Sequence, residues 1–552
     1  MSQHPPGSLR QKFEDAVNRN DFKDFKHTYT DFLSQFPSFE KAKSDIPTEL
    51  AVHNPIFGET SFHLKQTTDA EADALLADGR AASKVFGALS VAERLEFLKV
   101  LEEKVGKHGD EIALVIAADT GKPVDLAAKE MGKGNEWFDY AYKTAEAQLG
   151  REGTDDNFTT SRPLGVAQII GAYNYPYALA IGGIVGGLAA GNGVVVSAPL
   201  KAPDWVFPFM SAVDEAVADF SAKAKAEGKP WADDFAKTAG GLVQNSVGVN
   251  RKLTAEVDVV HFVGGDVTGH IISKSRGTKR TILEMGGSNV AAIMESALDH
   301  EGAADEIAKT IYDGFGPITG QRCTAPRILC VEEGAEAVVT ALGDIAANAD
   351  HHVGNPFTKG VKMGPLVDKG AFDKMKEAID LAKELGATVH GDITVSSNEV
   401  PQALNAGAIW VKPVVIDWAK ADVSAPENAE RVRTLLGQEI FGPLLHIVPR
   451  VNGIDEAIAV TNKYDTHGLS GAIFTSRQDE LDAYSEGVTV TSLSVNAGPK
   501  DRSPWGPHGH PGLDVIGGSH HFNLYARKSV TVAPEGKPLA PSPKKASASL
   551  GI

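Results

Sequence analysis

From Val166 onward, short apolar runs alternate with longer stretches of helical period. VAQIIGAYNYP (166–176) reads as a strand entering a turn, and NGVVVSAP (192–199) as a second strand. The consecutive valines of the latter predict burial on both faces of a sheet. VDVVHFVGGDVTGHII (257–272) reads as strand, glycine turn and helix. Strands alternating with helical stretches predict an α/β fold with a parallel sheet. From about 286 to 490 the alternation resumes: SNVAAIM, ILCVEE, ATVHG, LLHIVPR and LSGAIFT read as strands, and FDKMKEAIDLAKELG as an intervening helix. A second α/β domain is therefore expected.

Upstream of the sheets the pattern is helical. Ser90 and Glu93 have capping-box spacing, and Leu95, Leu98, Leu101 and Val105 follow as one apolar stripe. In the first fifty residues Phe22, Phe25, Tyr29, Phe32 and Phe36 share a helix face that Pro37 is expected to stop. Packing of this face on the protein's own body is the first reading and a subunit contact the second. The tail after about 535, GKPLAPSPKKASASLGI, has a composition that predicts disorder.

Composition narrows the class. The 552 residues are 42% apolar and 23% charged, as in a soluble globular protein of more than one domain. The net charge of −18 disfavours nucleic acid and anionic lipid as partners. No uncharged apolar run reaches the roughly 20 residues of a membrane span, and MSQHPPGSLRQKFED lacks the apolar core of a signal peptide. Only two cysteines, Cys323 and Cys330, are present, which fits a reducing, cytoplasmic setting.

Three stretches could carry chemistry. Gly264, Gly265 and Gly269 lie where a strand gives way to a helix. Such a turn lets backbone approach a phosphate, and equally serves as a plain connection. Glu284 in LEMGGSN could act as a general base or sit in a salt bridge. Cys323 lies in GFGPITGQRCTAP, among glycine, proline and threonine rather than aliphatic residues. Arg322 beside it could favour a thiolate. Cys330, in the apolar run ILCV, reads as core.

The order of these motifs is more specific than any one of them. Asn174 in AYNYP, the glycine turn, Glu284, Cys323 in GQRCT and Glu439 in QEIFGP together resemble the aldehyde dehydrogenase superfamily. RPLGVAQII, GGLAAGN, GNPFTKGVKMGPLVD and HGLSGAIFT resemble further segments of that family in its order. The resemblance spans about residues 50 to 530, with a poorly matching stretch at 204–250 that is expected to carry an insertion. It implies a Rossmann-type cofactor domain (51–150 and 163–285), an α/β catalytic domain (286–486) and a small β oligomerisation element (151–162 and 487–534). The helical extension (1–50) and the tail (535–552) flank them. It further implies an aldehyde substrate, NAD or NADP as cofactor, and a homodimer or homotetramer.

Carried over residue by residue, Cys323 is the expected nucleophile and Asn174 the oxyanion donor, with Glu284 activating water for hydrolysis of the thioester. Glu439, beside Phe441, would hold the nicotinamide ribose. Gly264 and Gly265 would lie by the pyrophosphate, and Gly269 would allow close helix packing. Tyr173 stands where tryptophan is common. Many family members carry Lys-Pro-Ser/Ala-Glu after the second strand; here the stretch is Ser197-Ala198-Pro199-Leu200. Leu200 removes a carboxylate that would repel a 2′-phosphate, and Lys201 follows it, so a lean toward NADP is expected. Around the substrate, Thr324, Arg502 and Ser503 are candidate contacts, favouring a semialdehyde or an aromatic aldehyde. The histidine pairs at 351–352, 508/510 and 520–521 lack the ligand pattern of a metal site, and none is expected. A coenzyme A-acylating enzyme and a catalytically silent scaffold are the alternatives.

Overall fold

The computed structural model describes residues 7–154, 157–237, 242–247, 250–348, 350–465, 467–498 and 518–532. Five parallel strands form the first sheet, in the spatial order Arg280–Glu284, Val259–Val263, Val166–Ile170, Gly193–Ala198 and Leu242–Val247. All residues of its three central strands are buried, as the valine-rich pattern requires. The chain starts in the middle strand, runs to one edge, then returns to build the other side. The reversal falls between Val166–Ile170 and Val259–Val263. At such a switch point the loops after the two strands diverge and leave a crevice.

The stretch at 204–250 contributes to the sheet and its cover. It supplies the crossover helix Val206–Ala226, the helix Ala232–Lys237 and the edge strand Leu242–Val247, which pairs with Gly193–Ala198. A second sheet of seven strands runs Thr388–His390, Val414–Asp417, Leu444–Ile447, Pro326–Val331, Asn289–Ile293, Ser470–Phe474 and Ser492–Val495. It is parallel except for its first pair. Ser492–Val495 belongs here because it pairs with Ser470–Phe474, so the boundary placed at 487 must move C-terminal of 495. A small antiparallel sheet joins Ala526–Val532 to Asn157–Pro163 and Glu152–Gly153.

The capping box at Ser90 is formed on both sides and opens the helix Val91–Lys107. The N-terminal extension is three helices, Leu9–Asn18, Phe22–Leu33 and Pro37–Ala42. Pro37 opens the third rather than ending the second, because proline at a first helical position costs no hydrogen bond. The aromatic face lies against the protein's own body. Phe25 packs on Phe57 and Phe357 at ring distances of 5.3 and 6.0 Å, and Phe39 on Phe207 at 5.2 Å. Arg10 Nε donates to Phe357 O at 2.9 Å, tying the extension to the segment that precedes the second domain's long helix.

Tyr29 on that face hydrogen-bonds to two buried carboxyls, Asp119 Oδ1 at 2.9 Å and Asp204 Oδ2 at 2.7 Å. Burial raises both carboxyls, Asp119 to about 6 and Asp204 further, so the folded pair retains a proton that the unfolded chain releases near pH 4. With the folded values raised, the stabilisation is full below the unfolded value and is lost as pH rises through the folded ones. Asp204→Asn, which is neutral at all pH, is therefore expected to gain stability relative to the native chain between pH 4 and 7. Urea midpoints measured across that range check this, and a constant difference would refute the shared proton.

Candidate active site

The crevice at the switch point is a cleft of about 610 Å3. Its walls come from both large domains: Gly171 to Asn174 after the middle strand, Gly264 and Gly265 after its neighbour, and Cys323, Glu439 and Phe441 from the second domain. Asn174, Cys323, Glu439 and the glycine turn, far apart in sequence, thus share one cavity.

Cys323 follows a tightly wound turn. Ile318, Thr319 and Gly320 all have positive φ, of 58°, 54° and 66°. For the two non-glycine residues this conformation costs roughly 1–3 kcal/mol each and needs support from the surroundings. That support is visible. Thr319 Oγ1 donates to Gly364 O at 2.7 Å, and Gln321 Nε2 to Ile318 O and Pro365 O at 3.2 and 3.3 Å. At Gly320 a Cβ would come within 2.3 Å of Gly442 backbone, so only glycine fits.

Two residues that sequence reasoning passed over complete the loop. Arg327 is buried in the strand Pro326–Val331 that follows Cys323. Its guanidinium donates to Gly442 O at 2.6 Å, Gly320 O at 2.7 Å and Arg322 O at 2.9 Å. Three carbonyls from two loops converge on one planar fork, which sets the Cys323 loop against the Glu439 loop. Asn289 Nδ2 donates to Cys323 O at 2.6 Å and Ala325 O at 2.8 Å, while its Oδ1 accepts from Ser470 N and Oγ. Neither has a local signature: Arg327 reads as a strand residue and Asn289 as the start of SNVAAIM.

Cys323 is partly exposed to the cleft. Burial pushes its thiol up to about 12, and the Glu439 carboxylate adds to this. The backbone N–H groups of Cys323 and Thr324 and the Arg327 charge pull the other way. The cation acting on the sulfur is Arg327, whereas Arg322 was expected. Arg322 instead offers its carbonyl to Arg327. The loop alone therefore does not supply a thiolate.

Asn174 is 4% exposed, and its Nδ2 donates to Gln321 O at 3.0 Å, leaving the amide's second hydrogen for an acceptor in the cleft. Tyr173, beside it, packs edge-on to Phe441 at 5.9 Å and donates from its hydroxyl to Gln321 Oε1 at 3.3 Å. Glu284 ends its strand at 1% exposure, and its carbonyl accepts from Gly264 N at 3.0 Å. Its neighbours Met285 and Gly286, one and two residues on, line the cleft. Glu439 is seated on the glycine pair that follows. Gly287 N donates to its Oε1 at 3.1 Å, and a Cβ on Gly286 would meet its Oε2 at 2.2 Å. Burial raises the Glu439 pKa, and Arg327 opposes the shift.

Gly265 opens the helix Asp266–Arg276, whose N-terminus no side chain caps, and a Cβ at Gly265 would meet nothing within 4 Å. At Gly269 a Cβ would meet Met285 Sδ at 2.6 Å, so this glycine brings helix and strand together. Uncapped helix N–H groups, an open glycine backbone and a carboxylate across an apolar cleft match a dinucleotide: the first two suit phosphates and the last suits ribose hydroxyls. The residues present fit the group.

Other expected contacts are placed differently. Ser197 is 1% exposed inside its strand, accepts from Gln168 Nε2 at 2.8 Å and does not line the cleft, because a strand interior turns it toward the sheet's own neighbours. Leu200, 44% exposed, and Lys201 do line it. Lys201 is ion-paired to Asp368, which caps the helix Lys369–Glu384. The Thr324 side chain is buried and is not part of the cleft wall, because the chain turns inward there into the strand Pro326–Val331. Arg502 and Ser503, and the histidines at 508 and 510, lie outside the described residues. Among the described residues no group of three His, Cys, Asp or Glu converges as metal ligands, and no helix is long and apolar enough to cross a membrane.

Comparison with known proteins bears on this arrangement. The model of the aldehyde dehydrogenase family matches residues 41–530. An alpha-ketoglutarate semialdehyde dehydrogenase of Haloferax volcanii is 30% identical over 414 residues, 73% of this chain and 77% of that protein. An NADP-dependent glyceraldehyde-3-phosphate dehydrogenase of Streptococcus equinus is 27% identical over 81% of this chain and 87% of its own length. Among solved structures, glyceraldehyde-3-phosphate dehydrogenase from Methanocaldococcus jannaschii complexed with NADP superposes with a TM-score of 0.72. That match has 21% identity and covers 88% of this chain and 99% of the other.

Proposed function

Because the chain belongs to the aldehyde dehydrogenase family, we propose that it oxidises a semialdehyde or an aromatic aldehyde to the carboxylic acid with reduction of NAD(P), through covalent catalysis at Cys323. The observation that carries the reading is the single cleft lined by Cys323, Asn174, Glu439 and the glycine turn.

Gly264, Gly265 and the start of the helix Asp266–Arg276 would hold the pyrophosphate of the dinucleotide, and Glu439 a ribose. When bound, the oxidised cofactor supplies a cationic ring that accepts the hydride. The Cys323 thiol gives up its proton to solvent water, helped by the backbone N–H groups of Cys323 and Thr324 and by the Arg327 charge, and the thiolate attacks the aldehyde carbon, forming a C–S bond and an oxyanion. Asn174 Nδ2 and the Cys323 backbone N–H receive that oxyanion, each such donor being worth roughly 3 kcal/mol. Loss of hydride leaves a thioester on Cys323. Glu284 then takes a proton from water as the water attacks the thioester carbon, after turning its carboxylate toward the cleft beside Met285. The acid departs and the thiolate is restored. The same carboxylate argues against release to coenzyme A, since a water-activating base serves hydrolysis.

The substrate assignment rests on the semialdehyde named for one relative and on Arg502 and Ser503 as partners for an anionic tail. An aldehyde panel run with both cofactors, with product analysis in the presence and absence of coenzyme A, tests it. Free acid from a semialdehyde is the expected product, and an acyl-coenzyme A would refute the hydrolytic reading. For the cofactor, Leu200 removes the repelling carboxylate, and Lys201 can exchange Asp368 for a 2′-phosphate. A kcat/KM at least equal for NADP is expected, with Lys201→Ala lowering the NADP value about tenfold and sparing NAD, as loss of one exposed ionic contact implies. A hundredfold preference for NAD would end this assignment. A cytoplasmic homodimer or homotetramer is the assembly we favour, on composition and on the symmetry usual among soluble oligomers.

A further inference from the structure

Lys122 is a buried charge that the reaction scheme above leaves without a role. It follows the turn that closes the helix Gly109–Thr120, in the sequence DTGKP. Its side chain is 1% exposed and that of Glu130, its partner, 0%. Lys122 Nζ donates to Glu130 Oε2 at 2.6 Å and to Asn174 O at 3.0 Å, and stands over the Tyr175 ring at 3.4 Å. The other oxygen of Glu130 accepts from Tyr177 N and Ala178 N at 3.0 and 3.1 Å, in the first turn of the helix Pro176–Ala189. The ion pair therefore grips the segment 174–178 at both ends, at the carbonyl of Asn174 and at the helix start behind it.

Burying two charges is costly, and a well-packed apolar pair of the same volume often serves stability as well. What an apolar pair cannot do is fix the rotation of one peptide group. Here the fixed group belongs to Asn174, whose amide is the side chain that faces the cleft. The turn that carries Lys122 is itself rigid. Gly121 has φ 68°, and a Cβ on it would strike Pro365 at 2.4 Å. Lys122 N donates to Thr120 Oγ1 at 3.1 Å, and Asp119 is held by Tyr29. The Gly364–Pro365 segment against which the turn rests also receives Thr319 Oγ1 and Gln321 Nε2 from the nucleophile loop. One turn thus braces both halves of the site.

We propose that Lys122, clamped by Glu130, is a positioning residue that holds the Asn174 carbonyl and so aims the Asn174 amide at the oxyanion formed on the Cys323 adduct. This rests on the catalytic reading given above. The test is a double-mutant cycle on the full-length enzyme with Lys122→Met, Asn174→Ala and the two combined, measured for kcat, aldehyde KM and cofactor affinity. Lys122→Met is expected to lower kcat about a hundredfold, the scale of a misplaced oxyanion donor, with aldehyde KM and cofactor affinity within twofold of native. On the Asn174→Ala background the same change is expected to cost less than about twofold, since the group it aims is already gone. Multiplying losses, or an unchanged kcat in Lys122→Met, would overturn the proposal. Should Lys122→Met fail to fold, Lys122→Met with Glu130→Gln removes both charges and keeps an acceptor for Tyr177 N and Ala178 N, and the cycle is run on that pair with the same outcomes. Cys323→Ala, run in parallel, separates the two levels. Turnover surviving in it overturns the catalytic reading and this proposal together, whereas its loss with multiplying effects at 122 and 174 overturns this proposal alone.

Discussion

Cys323→Ala is expected to abolish aldehyde-dependent cofactor reduction, lowering kcat at least about 10⁴-fold, the scale on which covalent enzymes lose their nucleophile, while cofactor binding is unchanged. Among the described residues, Cys323 carries the only thiol on the cleft wall. Cys330, the other thiol, is fully buried in the strand Pro326–Val331 and cannot substitute for it. Cofactor affinity should survive because the residues assigned to the dinucleotide are held independently of the thiol: Glu439 accepts from Gly287 N, and Gly265 is fixed at the N-cap position of the helix Asp266–Arg276. Removing the thiol also removes a group whose burial and whose neighbour Glu439 resist ionisation, so the variant should fold at least as well as the native chain. Titration of cofactor fluorescence together with initial rates checks both halves. Residual turnover within tenfold of native would refute the covalent scheme.

Glu284→Gln is expected to retain the first burst of reduced cofactor and to lose about 10²–10⁴-fold in the steady state, the usual contribution of a general base. Acylation requires attack by sulfur and departure of hydride, and neither step needs Glu284. Deacylation requires a base for water, and glutamine cannot take the proton. The substitution keeps the shape of a side chain that is 1% exposed, so a folding defect should not obscure the result. Rapid-quench measurement of the two phases decides: equal loss of burst and steady state would show that Glu284 does not act as the deacylating base.

How much of this was legible beforehand differs by residue, and the reason is distance along the chain. The strands at 166–170, 193–198 and 259–263 were legible because consecutive β-branched residues have few alternatives to a buried strand. The helix from Val91 was legible because both halves of its capping box lie within four residues. The extension at Pro37 was misread because proline stops one helix and starts another with equal ease, and only the packing of Phe39 on Phe207 selects the second. Ser197 lies off the cleft wall for a related reason: a motif position tells which residue is aligned, not which way a strand turns its side chain.

The sequence by itself determined the alternation that makes two α/β domains, the order of Asn174, Glu284, Cys323 and Glu439, and the departure at Leu200. Each is carried by residue identity and local spacing. Only the tertiary structure decided which groups Arg327, Asn289 and Lys122 bind. Their partners lie 115, 34 and 52 residues away, and a hydrogen bond across such a separation leaves no periodicity or spacing to read. It also decided that the thiol at 323 is raised rather than acidified, since that depends on how much water reaches the sulfur and which charges surround it, and these are properties of the folded cavity alone.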